Sequence, residues 1–327
     1  MRLIQGLMLA AILGFSNPTQ AEEPLKIVGR HDVMEVGPVL FAIQQAGPGI
    51  AQFATGGVDN LFKADGAAPA GGFDHAPGRA DLAAQAETQA LRASVANPDL
   101  RIILTVTEGL YRVVARRSAG ITRAEDLRGK RIGVFERTSA AYFLDRLLAK
   151  AGVAAHEVVL VPLRPREMEP ALTARQVDAV AIWEPESERS LMALGDDAVS
   201  LSDPTVYREL YNLNSTAQAL ADPARRARIV DFVRRLITAA RVATEEPAKI
   251  WPLVAASSGY PADLVAASWH HHRFPATLPE DLLDVMVEEE QWLATQAGRP
   301  ARTRAQLDGL IDRSVLREAM APDTGSR

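Results

Sequence analysis

Between Arg131 and Trp183 the spacing of apolar residues switches repeatedly from the period of a strand to that of a helix. Arg131–Phe135 reads as a strand, Ser139–Ala151 as a helix, Val158–Val161 as a strand, Met168–Arg175 as a helix and Ala179–Trp183 as a strand. Such a βαβαβ run demands a parallel sheet with right-handed crossovers and helices packed on its faces. Upstream lie the strand candidate Leu25–Val28, a mixed strand-and-turn region over Ala51–Asp59 and a strand end at Ala80–Leu82. A helix over Thr88–Ala96, capped by Thr88, is followed by strands at Leu100–Val106 and Tyr111–Ala115. Beyond Pro223 the chain turns mainly helical, over 225–245, 247–257, 261–268, 279–298 and 304–312. At 327 residues it has room for two domains of roughly 150.

Composition narrows the function. The apolar share of 47% and charged share of 24% suit a globular chain, not a disordered or polytopic one. Net charge is -5, so no basic surface advertises nucleic acid. With no cysteine, disulfides, thiolate metal sites and a cysteine nucleophile are excluded. Residues 1–21 carry Arg2, an apolar run from Leu7 to Phe15, and the small-x-small end Thr19-Gln20-Ala21, the pattern of a cleaved secretory signal peptide. No later apolar stretch approaches about 18 residues, so the expected location is the periplasm. Lys63–Arg79 is rich in Gly, Ala and Pro without periodicity and reads as a long surface loop.

The middle of the chain carries a likeness. Asp126-Leu127-Arg128-Gly129-Lys130-Arg131-Ile132-Gly133, then Gln176-Val177-Asp178-Ala179-Val180 and Trp183-Glu184-Pro185, resemble in order and spacing the periplasmic substrate-binding proteins of the sulfonate, taurine, nitrate and pyrimidine-precursor uptake group. The turn after the first helix differs from that group's usual one, reading Gln44-Gln45-Ala46-Gly47-Pro48-Gly49. The resemblance implies a two-lobed α/β binding protein of the second type, with a hinge of two crossover strands. A discontinuous lobe I would comprise residues 24–110 plus 214–327, and an inserted lobe II residues 111–213, crossing near Leu110–Val114 and Tyr207–Asn214. It implies a monomer that captures a small polar organic ligand, sulfonate-like by family default, by hinge closure. The partners it implies are an ABC permease and its ATPase. Alternatives are an amine, pyrimidine or other heteroaromatic ligand, or a ligand-sensing module for a separate receptor. The related pyrimidine-precursor enzymes use a lysine-held cofactor and a cysteine-rich iron motif; with no cysteine here, neither enzyme activity nor a cofactor is expected.

In open α/β sheets the ligand sits off the carboxyl ends of the strands. The residues that follow strands are therefore the candidates: Arg30 and His31, Gln85, Glu87 and Thr88, Glu108 and Tyr111, Glu136, Thr138 and Ser139, and Trp183 and Glu184. Thr138-Ser139 opens a helix whose N–H groups favour an anionic or polar head. Trp183 is read as a stacking wall. The glutamates at positions 87, 108, 136 and 184 oppose a sulfonate if they face the cleft, because carboxylates buried beside an anion are costly. His270-His271-His272 does not read as a metal site, since consecutive side chains diverge. The chain has no HExxH, P-loop, GxGxxG or nucleophile-elbow pattern.

Overall fold

The computed structural model describes residues 23–63 and 78–322. The segment read as a signal peptide and most of the Lys63–Arg79 stretch lie outside the described residues.

Among the described residues eleven strands form two sheets. The first contains β1 (Leu25–Gly29), β2 (Ala51–Thr55), β3 (Leu82–Ala86), β4 (Leu100–Gly109), β10 (Glu209–Thr216) and β11 (His272–Arg273), in the order β11-β4-β10-β3-β1-β2. The second contains β5 (Arg112–Arg116), β6 (Arg131–Val134), β7 (Val159–Pro162), β8 (Ala179–Ile182) and β9 (Ala198–Ser202), in the order β7-β6-β8-β5-β9. Each sheet has a parallel trio at one edge: β1 pairs with β2 and β3, and β6 with β7 and β8. Into each, one antiparallel strand is inserted, β10 beside β3 and β5 beside β8.

The chain passes from the first sheet to the second through Leu110 and Tyr111, and returns through 203–208. These two passages are the crossover geometry of a two-lobed binding-protein fold. Apolar alternation disappears where helices cover both faces: β8 is wholly buried in the sequence Ala-Val-Ala-Ile.

The helices follow from their apolar stripes. They are α1 (Gly37–Ala46), α2 (Glu87–Ala96), α3 (Ser139–Lys150), α4 (Met168–Thr173), α5 (Glu186–Leu194), α6 (Ala217–Ala221), α7 (Pro223–Glu245), α8 (Trp251–Ser258), α9 (Ala262–Ser268), α10 (Leu282–Gln296), α11 (Arg304–Asp308) and α12 (Arg313–Met320). In α3, Ala140, Phe143, Leu144, Leu147 and Leu148 recur at helical spacing and are buried. The long α7 starts sharply because the Asp222 side chain accepts from Arg225 N and Pro223 occupies the first turn.

The sequence reading misses α5, β9 and α12 and misplaces one cap. Helix α2 begins at Glu87 with Ala86 in the cap position, so Thr88 lies inside the first turn, buried, with its Oγ1 unpartnered among the described residues. Glu87 takes the first position because its carboxylate has a task elsewhere: it accepts from Tyr207 Oη (2.5 Å) and Leu210 N (3.0 Å).

Candidate functional site

Where the two sheets face each other lies a chamber of about 260 Å³, lined from both sides. The first sheet and its loops contribute Arg30, Val33, Glu35, Gln85, Glu209 and Tyr211, and α2 contributes Gln89 and Arg92. The second contributes Phe135, Glu136, Arg137, Thr138, Ser139 and Trp183. Gln85, Gln89, Arg92, Glu136 and Arg137 also line a wider outer canyon of about 1210 Å³, so these five mark the passage between inner chamber and mouth.

Of the twelve residues picked from strand ends, six line the chamber: Arg30, Gln85, Glu136, Thr138, Ser139 and Trp183. Arg30 donates to Asp32 (2.5 Å) and lies over the Trp183 ring, 5.6 Å from its centroid. Trp183 is 6% exposed, and its Nε1 finds no partner among the described residues. Gln85 is held by Val58 N, which donates to its Oε1 (2.9 Å). Thr138 sits at the cap position of α3, yet its Oγ1 turns back to donate to Phe135 O (2.6 Å). Ser139 Oγ lies 2.9 Å from Tyr111 Oη and donates to Glu209 Oε1 (3.4 Å).

The other six lie elsewhere, each for a local reason. His31 bonds Thr55 Oγ1 (3.1 Å) and lines a separate groove with Arg164 and Arg166. Glu87 and Thr88 are buried beneath the chamber. Glu108 pairs with Arg208 (3.1 Å), because alternation along β4 turns it from the face that its neighbour Gly109 presents. Glu184 is drawn to Arg112 (2.8 Å), which the β5–β8 register places beside Ile182. Burial pushes the Glu184 carboxyl up, and the Arg112 charge pulls it back. Tyr111 packs in an aromatic cluster with Phe143, Trp183 and Tyr207, ring centroids 5.6–6.5 Å away, on one of the two passages between sheets.

Two acidic residues of the chamber escaped the strand-end reading. Glu209 opens β10, and a strand start is not where a parallel sheet places its site. But β10 runs antiparallel to β3 and β4, so its first residue lies at the same edge as their last ones, opposite Gly109. Glu35 stands in the segment between β1 and α1, its carbonyl accepting from Thr107 Oγ1 (2.9 Å). The available signal was a lone carboxylate inside the apolar run Val33-Met34-Glu35-Val36. Burial raises Glu35 to about 7. Burial, then the Glu35 charge, raises Glu209 well above the usual carboxylate range.

Across the passage the two sides touch. Gln89 Nε2 (3.3 Å) and Arg92 Nη1 (3.2 Å) of α2 donate to the carbonyl of Arg137, which holds a left-handed backbone with φ 61°.

Residues 74–257, more than half the chain, match the NMT1/THI5-like family. The chain belongs to that family. A Brucella abortus relative named as a binding protein is 38% identical over 72 residues, a stretch that spans only 22% of each chain. Among solved structures, this NMT1/THI5-like chain is similar to the periplasmic aliphatic sulphonate binding protein of Escherichia coli, with TM-score 0.69 and 19% identity, covering 88% of this chain and 91% of that one. It is also similar to the periplasmic nitrate-binding protein of Synechocystis PCC 6803, with TM-score 0.68 and 11% identity over 90% and 88%. The desulfurization enzyme DSZB shares the fold too, at TM-score 0.61 and 15% identity over 91% and 99%. These likenesses establish the two-lobed fold, which serves both binding and catalysis.

Proposed function

We propose that this protein is the extracytoplasmic solute-binding component of an ABC importer, enclosing a small polar organic ligand between its lobes. The observation that carries this reading is the chamber lined from both sides at the junction, with the described chain crossing between the sheets at 110–111 and 203–208. Rotation about two short passages changes the surface a permease meets, which is how occupancy becomes legible to a partner. Lobe I would comprise 24–110 plus 214–327 and lobe II 111–213. The protein would act as a monomer in the periplasm after cleavage behind Ala21, with a permease and its ATPase as partners. Among the described residues no helix is long and apolar enough to cross a membrane.

A binder is favoured over an enzyme because the sulphonate- and nitrate-binding structures match this chain over most of its length with the higher TM-scores. A sulfonate-like ligand is the reading by likeness, and Arg92 and Arg137 at the passage are the groups that would meet its oxygens.

The test is a thermal-shift screen of mature protein against sulfonates, nitrate, pyrimidines, amines and aromatic acids. A ligand of the native state raises the melting temperature by mass action. At least one class should do so in the wild type and lose most of its effect in Trp183→Ala. Stabilisation by none of these classes, or an undiminished shift in Trp183→Ala, would sink the reading.

A further inference from the structure

The chamber holds two carboxyl groups with capacity to spare. Glu35 and Glu209 gather over Gly109, where a Cβ would come within 3.0 Å of Glu209 Oε2 and 3.3 Å of Glu35 Oε1. Both residues are almost wholly buried, at 1% and 4% exposure, and both line the chamber. The Oε2 atom of each meets no N–H or hydroxyl donor among the described residues. What the two carboxyls have is each other, a hydrogen bond that exists only while one of them carries a proton. His272 Nε2 approaches Glu35 Oε1 at 3.3 Å, but burial lowers the affinity of His272 for a proton. Facing the pair from neighbouring elements are Arg30 and Asp32 from the loop after β1, Tyr111 and Ser139 from the second lobe, Tyr211 from β10, and Glu184. Arg92 and Arg137 stand at the far end of the chamber, where it opens to the canyon.

Resting on the reading of this cleft as the ligand site, we propose that its inner end is a subsite for a positively charged N–H head, an ammonium or amidinium, received by Glu35 and Glu209. Such a head adds a second counter-charge to that of Arg30 and brings hydrogens that replace the proton the two carboxyls share. Two like charges buried together cannot both ionise without that added charge. Burial raises both carboxyls, Glu35 to about 7 and Glu209 well above its ordinary value, so the empty site holds proton near neutral pH. When the cation enters, the proton held there leaves to solvent and the carboxylates become the acceptors. Trp183 and Phe135 provide aromatic walls beside the head. The guanidinium groups at the other end repel a cation and orient it inward.

The experiment uses the whole mature protein and probes that share one body: benzamidine and phenethylamine as cations, benzoate and benzenesulfonate as anions. The cations should raise the melting temperature at pH 8 and do so much less at pH 6, because protons compete for the same oxygens. Affinity should change by up to about tenfold per pH unit for each proton displaced. Calorimetry at pH 7 in two buffers of different ionisation enthalpy should register net proton release on cation binding, up to two protons per cation. Glu35→Gln with Glu209→Gln should abolish the cation response. Should that double variant fold poorly, the pH dependence and proton release of the wild type decide the matter alone. Shifts from the anions only would overturn the subsite while leaving the importer reading standing. Cation binding without proton release, or no response to either cation, would overturn it as well; the broader screen then judges the importer reading separately.

Discussion

The two sheets bury charge in opposite ways. In the second, every prominent buried carboxylate has an arginine. Arg112 holds Glu184 at 2.8 Å and also bonds Glu188, and Arg116 and Arg131 converge on Asp178 at 2.7 and 2.9 Å. The Arg131 hydrogen bonds set Asp178 below the ordinary aspartate range. In and around the first sheet, Glu290 is likewise held by Arg299 and Arg302, but Glu35, Glu209, Glu87 and Glu289 are buried in one another's company. Burial raises all four, and within this group Glu87 reaches about 8 while Glu209 and Glu289 go well above normal. Similar burial therefore produces a locked ion pair where a guanidinium is built in and an exchangeable proton where none is. The lobe that matches the family's sequence signature sets an arginine beside its buried carboxylates. The one that departs from it at the Gln44–Gly49 turn keeps charge capacity in reserve, and that reserve reaches the cleft.

The comparison can be broken most sharply by unpairing one side. Arg112→Ala leaves Glu184 buried without its cation and should cost about 3–5 kcal/mol in urea unfolding. Glu289→Gln, which removes a carboxyl whose affinity for a proton burial raises and which has no arginine partner to lose, should cost under about 1 kcal/mol. Equal losses would show that the two regions do not differ as described.

The pH dependence comes next in size. Glu35 and Glu87 hold protons to about 7 and about 8 when folded, against an ordinary value of 4.5. The native state thus binds more protons than the unfolded chain between those limits. Their contribution is fully present below about pH 4.5 and is lost as pH rises through 7 and 8, on the order of a few kcal/mol in all. Urea midpoints at pH 5, 7 and 9 should fall in that order, and Glu87→Gln should flatten the upper part of the decline. A midpoint that rises from pH 5 to 9 would contradict the assignment.

The smallest effect sharpens rather than breaks the contrast. Gly109→Ala sets a methyl group against both carboxyls of the chamber, at 3.0 and 3.3 Å. It should destabilise by about 1 kcal/mol, as overpacking does. It should also weaken ligand binding about tenfold, if the carboxyls must move off their ligand. Unchanged affinity would place the ligand away from this pair.

Local pattern alone determined the βαβαβ block from Arg131 to Trp183, because each element there is signalled by its own periodicity and turns. Ala179–Trp183 was legible as a buried strand, and the passages between sheets were legible near Leu110 and Tyr207 through the likeness. Half the chosen site residues reach the chamber because strand ends in a parallel sheet share an edge. What tertiary structure decided was which polar residues turn toward that edge. Glu108 faces away because alternation along β4 gives the inward place to Gly109, and Glu184 is taken by an arginine from a strand distant in sequence. Glu209 reaches the chamber because β10 is antiparallel, a property of pairing that no stretch of its own sequence records. Periodicity reports the neighbours a residue has along its own element, whereas the cleft is made of neighbours brought from other ones.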